Sequence, residues 1–244
     1  MAWEQLGTGQ AEMDNDTQAI AALVKAVELD ASNLSALLEL GVSCTNELDQ
    51  TQALIFLQTW LEAHPVHSAS CDPELAPVAP ESLKYLEHVT KQFRLASELH
   101  EDAELSLALG VLANLREDYD DAMRCFKDAL RLQPQSHSLW NKLGATAANG
   151  GRSAEAIHAY NQALQLKPTY VRSWANAGIA HANLGDHPNA VSFYLRALLL
   201  NPEADHIWDN LRMTCEMMGR RDLLAKIQEK DLDAFRGEFP GAFP

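Results

Sequence analysis

The sequence predicts an all-α solenoid of stacked helix pairs, and three observations carry that reading. Apolar residues make up 47% of the 244. Ala and Leu are abundant and β-branched residues sparse, which favours helices over strands. Three segments end alike, ALRLQP at Pro134, ALQLKP at Pro168 and ALLLNP at Pro202, so the closing prolines stand 34 residues apart twice. A fixed period of this size marks an array of repeated helical units.

With that proline numbered position 32, units begin at Ala103, His137 and Val171. Position 8 is then Gly110, Gly144 and Gly178, and position 20 is Ala122, Ala156 and Ala190. Position 24 is Phe126, Tyr160 and Tyr194, position 27 is Ala129, Ala163 and Ala197, and Trp140 and Trp174 fill position 4. The pattern runs backward through a unit starting at Leu34 (Leu40, Gly41, Ala53, Leu57, Pro65). It reaches an earlier one carrying Trp3, Leu6, Gly7, Ala19, Leu23 and Ala26. Forward, Trp208, Leu211 and Gly219 begin a copy that decays. Small residues at 8, 20 and 27 let two antiparallel helices approach, bulky ones at 4, 7 and 24 fill the space, and the proline ends the second helix. Stacked pairs bury a continuous core and make a superhelix with a concave face.

The period breaks once. Three prolines, Pro73, Pro77 and Pro80, forbid a regular first helix between Ser68 and Asp102. Residues 66–81 read as a loop or hinge and roughly 82–100 as helix. The expected organisation is an N-terminal block at 1–65, an irregular hinge and degenerate repeat at 66–102, three regular repeats at 103–204, and a degenerate last repeat with a tail at 205–244. That makes about six to seven repeats in two blocks. The tail, with Phe235, Phe239 and Phe243, leaves the period and either folds back on the array or hangs loose.

Charge narrows the function. A formal charge of -15 repels phosphate backbones and anionic membranes, so nucleic acid is a poor partner. No apolar run approaches the ~20 residues of a membrane span, and no secretory signal opens the chain, which points to a cytoplasmic protein without membrane insertion. Cys44, Cys71, Cys125 and Cys215 are scattered with no CxxC pair, as expected of reduced thiols. His64, His67 and Cys71 lie in the Pro-rich stretch and are not read as a zinc site; no histidine has metal-ligand spacing along the chain. Without a phosphate loop or nucleophile elbow, the chain reads as no enzyme and as needing no cofactor.

A helix turns about 100° per residue, so position sets face. Positions 4, 7, 8 and 11 of the first helix pack inward, while 2, 6, 9 and 13 lie opposite and look into the concavity, with 5 and 12 on the flank. Position 13 is Asn46, Asn149 and Asn183; Asn114 stands at 12, Asn141 at 5 and Asn176 at 6, and Thr45 sits beside Asn46. Position 9 is apolar (Val42, Val111, Ala145, Ile179), and Lys142 and Arg172 add two cations. An amide offers donors and an acceptor to an extended backbone, and an unpaired buried polar group costs about 1–3 kcal/mol. Amides, an apolar strip and two cations together describe capture of a peptide C-terminus. An Asn near a helix end also serves as a cap, a reading that fits Asn149 before Gly150 and Gly151; mid-helix asparagines at 5 and 6 argue for binding.

The segments VSCTNE (Val42–Glu47), WNKLGATAANG (Trp140–Gly150) and YVRSWAN (Tyr170–Asn176) carry a sharper match. From about Asp30 to Ile227 the chain resembles the C-terminal tetratricopeptide-repeat domain of the peroxisomal import receptors for type 1 targeting signals. The resemblance implies recognition of a C-terminal Ser-Lys-Leu type tripeptide on peroxisomal cargo, an address read by a receptor. It implies that Asn46, Asn141, Asn149, Asn176 and Asn183 bond the signal's backbone and carboxylate. Lys142 and Arg172 would supply the positive field, with Val42 and Thr45 by the terminal leucine and Asn114 further along. Glu47, by charge alone, could offset the signal's lysine. It also implies a receptor cycling between cytoplasm and peroxisomal membrane. Docking partners would be met through an N-terminal half, with aromatic motifs and a cysteine near its start, that is not in this sequence. Other readings are a general protein–protein scaffold or a co-chaperone. The co-chaperone carboxylate clamp fails, because its slots hold Leu107, Val111, Lys142, Arg172 and Asn176.

Overall fold

The computed structural model describes residues 1–70, 78–80, 82 and 84–243, apart from the side chain of Ser70. The expected loop at 66–81 therefore falls partly outside the described residues, as do Cys71, Pro73 and Pro77. The described residues form α-helices and short 3-10 turns, and no helix among them is long and apolar enough to cross a membrane.

The chain divides into two compact units, Met1–Pro134 and Gln135–Pro244. The first holds α1 (Ala2–Glu12), α2 (Asp16–Leu29), α3 (Leu34–Asn46), α4 (Gln50–Ala63), α5 (Tyr85–Leu99), α6 (Ala103–Leu115) and α7 (Tyr119–Leu132). The second holds α8 (His137–Asn149), α9 (Ser153–Leu166), α10 (Val171–Asn183), α11 (His187–Leu200), α12 (Asp205–Met217) and α13 (Arg221–Gln228). Helices α3, α6, α8 and α10 open at Leu34, Ala103, His137 and Val171, the residues that the proline period numbers as position 1.

Each pair is held by the contact the repeat anticipates. A methyl group added to Gly41 would meet the Leu57 side chain at 2.7 Å, one on Gly110 would meet Phe126 at 2.6 Å, and one on Gly144 would meet Tyr160 at 2.6 Å. Position 8 is glycine because the position-24 side chain occupies the space where a Cβ would stand. Helix starts are capped by side chains: Asn33 accepts from the Ala36 amide, Asp102 from Glu104 and Leu105, and Ser136 from Leu139. Helix ends repeat as well. Position 15 has positive φ in all six copies: Asp14 (66°), Leu48 (60°), Glu117 (58°), Gly151 (74°), Gly185 (75°) and Gly219 (72°). The next amide then bonds back to a carbonyl in the last turn, as Asp49 N–H does to Cys44 and Arg152 N–H to Ala147, the Schellman closure.

Within the second unit the proline also ties one repeat to the next. The Trp174 indole N–H donates to the Pro168 carbonyl at 2.8 Å, and Trp208 does the same to Pro202 at 2.8 Å. Helix α10 touches both α8 and α12, so first helices of successive repeats form one layer, with α9 and α11 behind. The tail packs on this unit: Phe235, Ala242 and Phe243 are buried and Phe239 is half-buried. Arg196 holds the tail by donating to the Gly241 carbonyl at 3.0 Å, and the Arg236 guanidinium lies 4.7 Å from the Phe243 ring centre. In the first unit Trp60 replaces the small residue at position 27. It is fully buried and stacks on Phe93 of α5 at 5.8 Å, which anchors the degenerate repeat.

Candidate functional site

In the second unit two helix faces carry the candidate residues. On α10, Val171, Ser173, Ala175, Ala177, Gly178 and Ala180 are buried. The remaining face shows Arg172, Asn176, Ile179 and Asn183, spaced 4, 3 and 4 apart and so aligned in one stripe. Ile179 is 38% exposed, an open apolar residue between two amides. Helix α8, which touches α10, repeats the arrangement with Ser138, Lys142, Ala145 and Asn149. The Lys142 ammonium donates to the Ser138 hydroxyl at 2.9 Å, so the cation lies along the stripe.

Asn141, on the flank, is 4% exposed. Its carbonyl oxygen accepts from the Ser173 hydroxyl of α10 at 2.9 Å. With the acceptor end satisfied inside the protein, the amide nitrogen is left as a fixed donor. Asn176 is half-buried, and Asn149 and Asn183 are exposed at the last residues of their helices. Sequence reasoning missed Ser173; a serine 32 positions from Asn141 carries no local signal, because the pairing forms only when repeats stack.

The candidates of the first unit are arranged differently. Val42 is buried at 8% exposure, and Thr45 donates its hydroxyl back to the Val42 carbonyl at 2.6 Å. Asn46 is exposed and its amide donates to the Asp16 carboxylate at 3.2 Å, tying the end of α3 to the start of α2. Glu47 is exposed at the C-cap of α3, and Asn114 is half-buried near the end of α6. Asp16 had no signal in the sequence, because its partner lies 30 residues away.

A second cluster surrounds the end of α4. His67, 2% exposed, bonds through Nε2 to the Asp102 carboxylate at 3.1 Å and stacks on His64 with ring centres 4.0 Å apart. Their potential ligand atoms lie within 4.8 Å of one another. The sequence reading set Cys71, outside the described residues, beside these histidines without reading a metal site, and it did not place Asp102 there. The His64 Nδ1 accepts the backbone amides of Val66 at 3.3 Å and His67 at 3.2 Å. In the neutral ring Nε2 then carries the proton and has no lone pair for a cation. Burial pulls the His64 value below the usual imidazole range, with the neighbouring His67 adding to it. Of the described cysteines, Cys44, Cys125 and Cys215 are free thiols, each pushed up to about 11 chiefly by burial, so little reactive thiolate forms.

Paired helices at a 34-residue period, with small residues where the helices cross and amides on the open stripe, define a tetratricopeptide-repeat protein. The tetratricopeptide-repeat family model matches residues 107–171 and again 141–205. The chain is 41% identical over 246 residues to the peroxisomal targeting signal 1 receptor of Dictyostelium discoideum, covering 98% of this chain and 38% of that protein. It is 48% identical over 126 residues to peroxisome biogenesis protein 5 of Arabidopsis thaliana, 51% of this chain and 17% of that protein. It is 38% identical over 165 residues to the human PEX5-related protein, 63% of this chain and 26% of that protein. The chain belongs to the peroxisomal targeting signal 1 receptor family and corresponds to its tetratricopeptide-repeat region. It spans between 17% and 38% of the length of these relatives.

Proposed function

We propose that this chain is the cargo-recognition region of a peroxisomal import receptor, taking the C-terminal Ser-Lys-Leu type signal of matrix proteins. The observation that carries the reading is the stripe on α10, where Arg172, Asn176, Ile179 and Asn183 share one open face beside Lys142 and Asn149 of α8. An extended chain end needs donors for its carbonyls, a cation for its carboxylate and an apolar contact for its last side chain. Asn141, Asn149, Asn176 and Asn183 supply amides, Lys142 and Arg172 the positive field, and Ile179 the apolar surface. Val42, Thr45, Asn46, Glu47 and Asn114 of the first unit are proposed peptide contacts on the strength of the family likeness. Such a receptor would work in the cytoplasm and cycle to the peroxisomal membrane, docking through parts of the protein outside this chain. Neither a catalyst nor a cofactor enters the reading.

The test is a titration with a labelled peptide ending in Ser-Lys-Leu and the same peptide amidated at its C-terminus. Binding of the first and not the second is expected. Asn149→Ala and Asn183→Ala should each weaken binding by about 1–3 kcal/mol, the cost of stranding a buried polar partner, while the melting temperature barely moves. A fallen melting temperature with unchanged affinity per folded molecule would make these residues caps. Equal binding of both peptides would sink the proposal.

A further inference from the structure

A cleft in the first unit runs counter to the charge of the chain. It has a volume of about 360 Å³ and is lined by Leu86, Glu87, Thr90, Lys91 and Arg94 of α5 and by Arg116 just after α6. The chain carries a net -15, yet this cleft is basic. Behind it Asp121, 7% exposed, accepts from Arg94 at 2.5 Å, from Arg116 at 3.1 Å and from Arg124. One carboxylate therefore faces three guanidinium groups. In the wall itself Lys91, Arg94 and Arg116 stand against Glu87, and with Asp121 behind them three cations face two anions, a local excess of one positive charge.

The arrangement differs from a loose patch of surface cations. Asp121 sits in the first turn of α7, and its shared oxygen fixes Arg94 and Arg116 side by side. Both remain partly open, 47% and 32% exposed, so each planar fork keeps donors free of the Asp121 bond. The lining also has an apolar part: Leu86 contributes to it, and the buried Thr90 spends its hydroxyl proton on the Leu86 carbonyl at 2.7 Å, so that hydroxyl is not offered to a ligand as a donor. Oriented guanidinium groups beside an aliphatic side chain match a carboxylate on a short methylene stem, because Arg binds carboxylate in a directed, often two-bond geometry.

We propose that this cleft is a second peptide-contacting site, accepting an acidic side chain from an extended Glu- or Asp-rich segment of a partner protein between Lys91 and the Arg94–Arg116 pair. The contact is to a side chain, so it requires no free C-terminus, which separates it from the recognition proposed for α8 and α10.

The experiment uses the full chain and an N-acetylated, C-amidated, fluorescently labelled hexaglutamate peptide, with hexalysine as the control. Saturable binding of the acidic peptide is expected, weakening as salt is raised, because the charges are partly exposed. Lys91→Glu reverses an exposed charge that holds nothing in place, so its helix content should match that of the parent while the peptide dissociation constant rises at least about threefold. Combining it with Arg94→Gln should raise the constant roughly tenfold, and Asn183→Ala should leave it unchanged. The proposal is overturned if hexaglutamate does not saturate or if Lys91→Glu binds it as the parent does. It is overturned equally if inorganic phosphate binds at this cleft and the acidic peptide does not.

Discussion

Gly144 stands where a single methyl group has no room. Tyr160 lies 2.6 Å from where its Cβ would be and is 2% exposed, with little space to withdraw. Gly144→Ala should therefore destabilise the fold by about 1–3 kcal/mol, even though alanine is the better helix former. Urea unfolding of the pair measures it, and a stabilised variant would refute the close approach. Asn141 illustrates a different kind of constraint. Its side chain is oriented by Ser173 across a repeat boundary, so the donor it leaves over is held by packing. Asn46, by contrast, spends its amide on Asp16, and part of its role is to hold two helices together.

Among elements, the ends of the first helices share one geometry at unequal cost. Position 15 is left-handed in all six copies, but only Gly151, Gly185 and Gly219 adopt that backbone freely. Leu48 holds φ 60° with 90% of its surface exposed, so its side chain contributes little packing in return. Leu48→Gly should stabilise the first unit by about 1 kcal/mol, read as a higher denaturant midpoint with an unchanged slope. The start of α6 supplies a pH-sensitive contact. Burial alone would raise the Asp102 value, but the bond from His67 and the amides of Glu104 and Leu105 outweigh it and hold the carboxyl below the usual aspartate range. A folded-state value below the unfolded one stabilises the fold above the ordinary aspartate range, and that contribution fades as pH falls through the folded value. Asp102→Asn keeps a capping oxygen and removes the charge. Between roughly pH 5 and pH 3 the variant should lose less stability than the parent; identical pH profiles would count against the His67–Asp102 contact.

Taken as a whole chain, stability is a sum of neighbour contacts, as expected of stacked repeats. Unit Gln135–Pro244 contains the helix pairs α8–α9 and α10–α11, the partial pair α12–α13 and a tail whose buried phenylalanines cover part of that unit's apolar surface. A fragment of residues 135–244 should fold alone with a cooperative, strongly helical melt by circular dichroism. Truncation before Asp231 should lower that melting temperature, since it uncovers the surface now under Phe235 and Phe243. A fragment that melts without cooperativity would show that the unit needs neighbours it does not contain.

The repeat was legible in the letters because a helix converts sequence spacing directly into angle. Proline every 34 residues gave the unit, and Gly–Tyr and Gly–Phe pairs 16 apart gave the contact inside it. The open stripe on α10 followed from the same arithmetic. What only folding decided lies between repeats or across long separations. Ser173 orients Asn141, Asp16 engages Asn46, Asp102 meets His67, and Asp121 of α7 draws in Arg94 of α5 from 27 residues away. The tail was undecidable from period alone, and its phenylalanines found cover only once α11 and α13 were in place. Local periodicity encodes the helices because each hydrogen bond in them spans about four residues; contacts that join distant residues exist only after packing brings their side chains within reach.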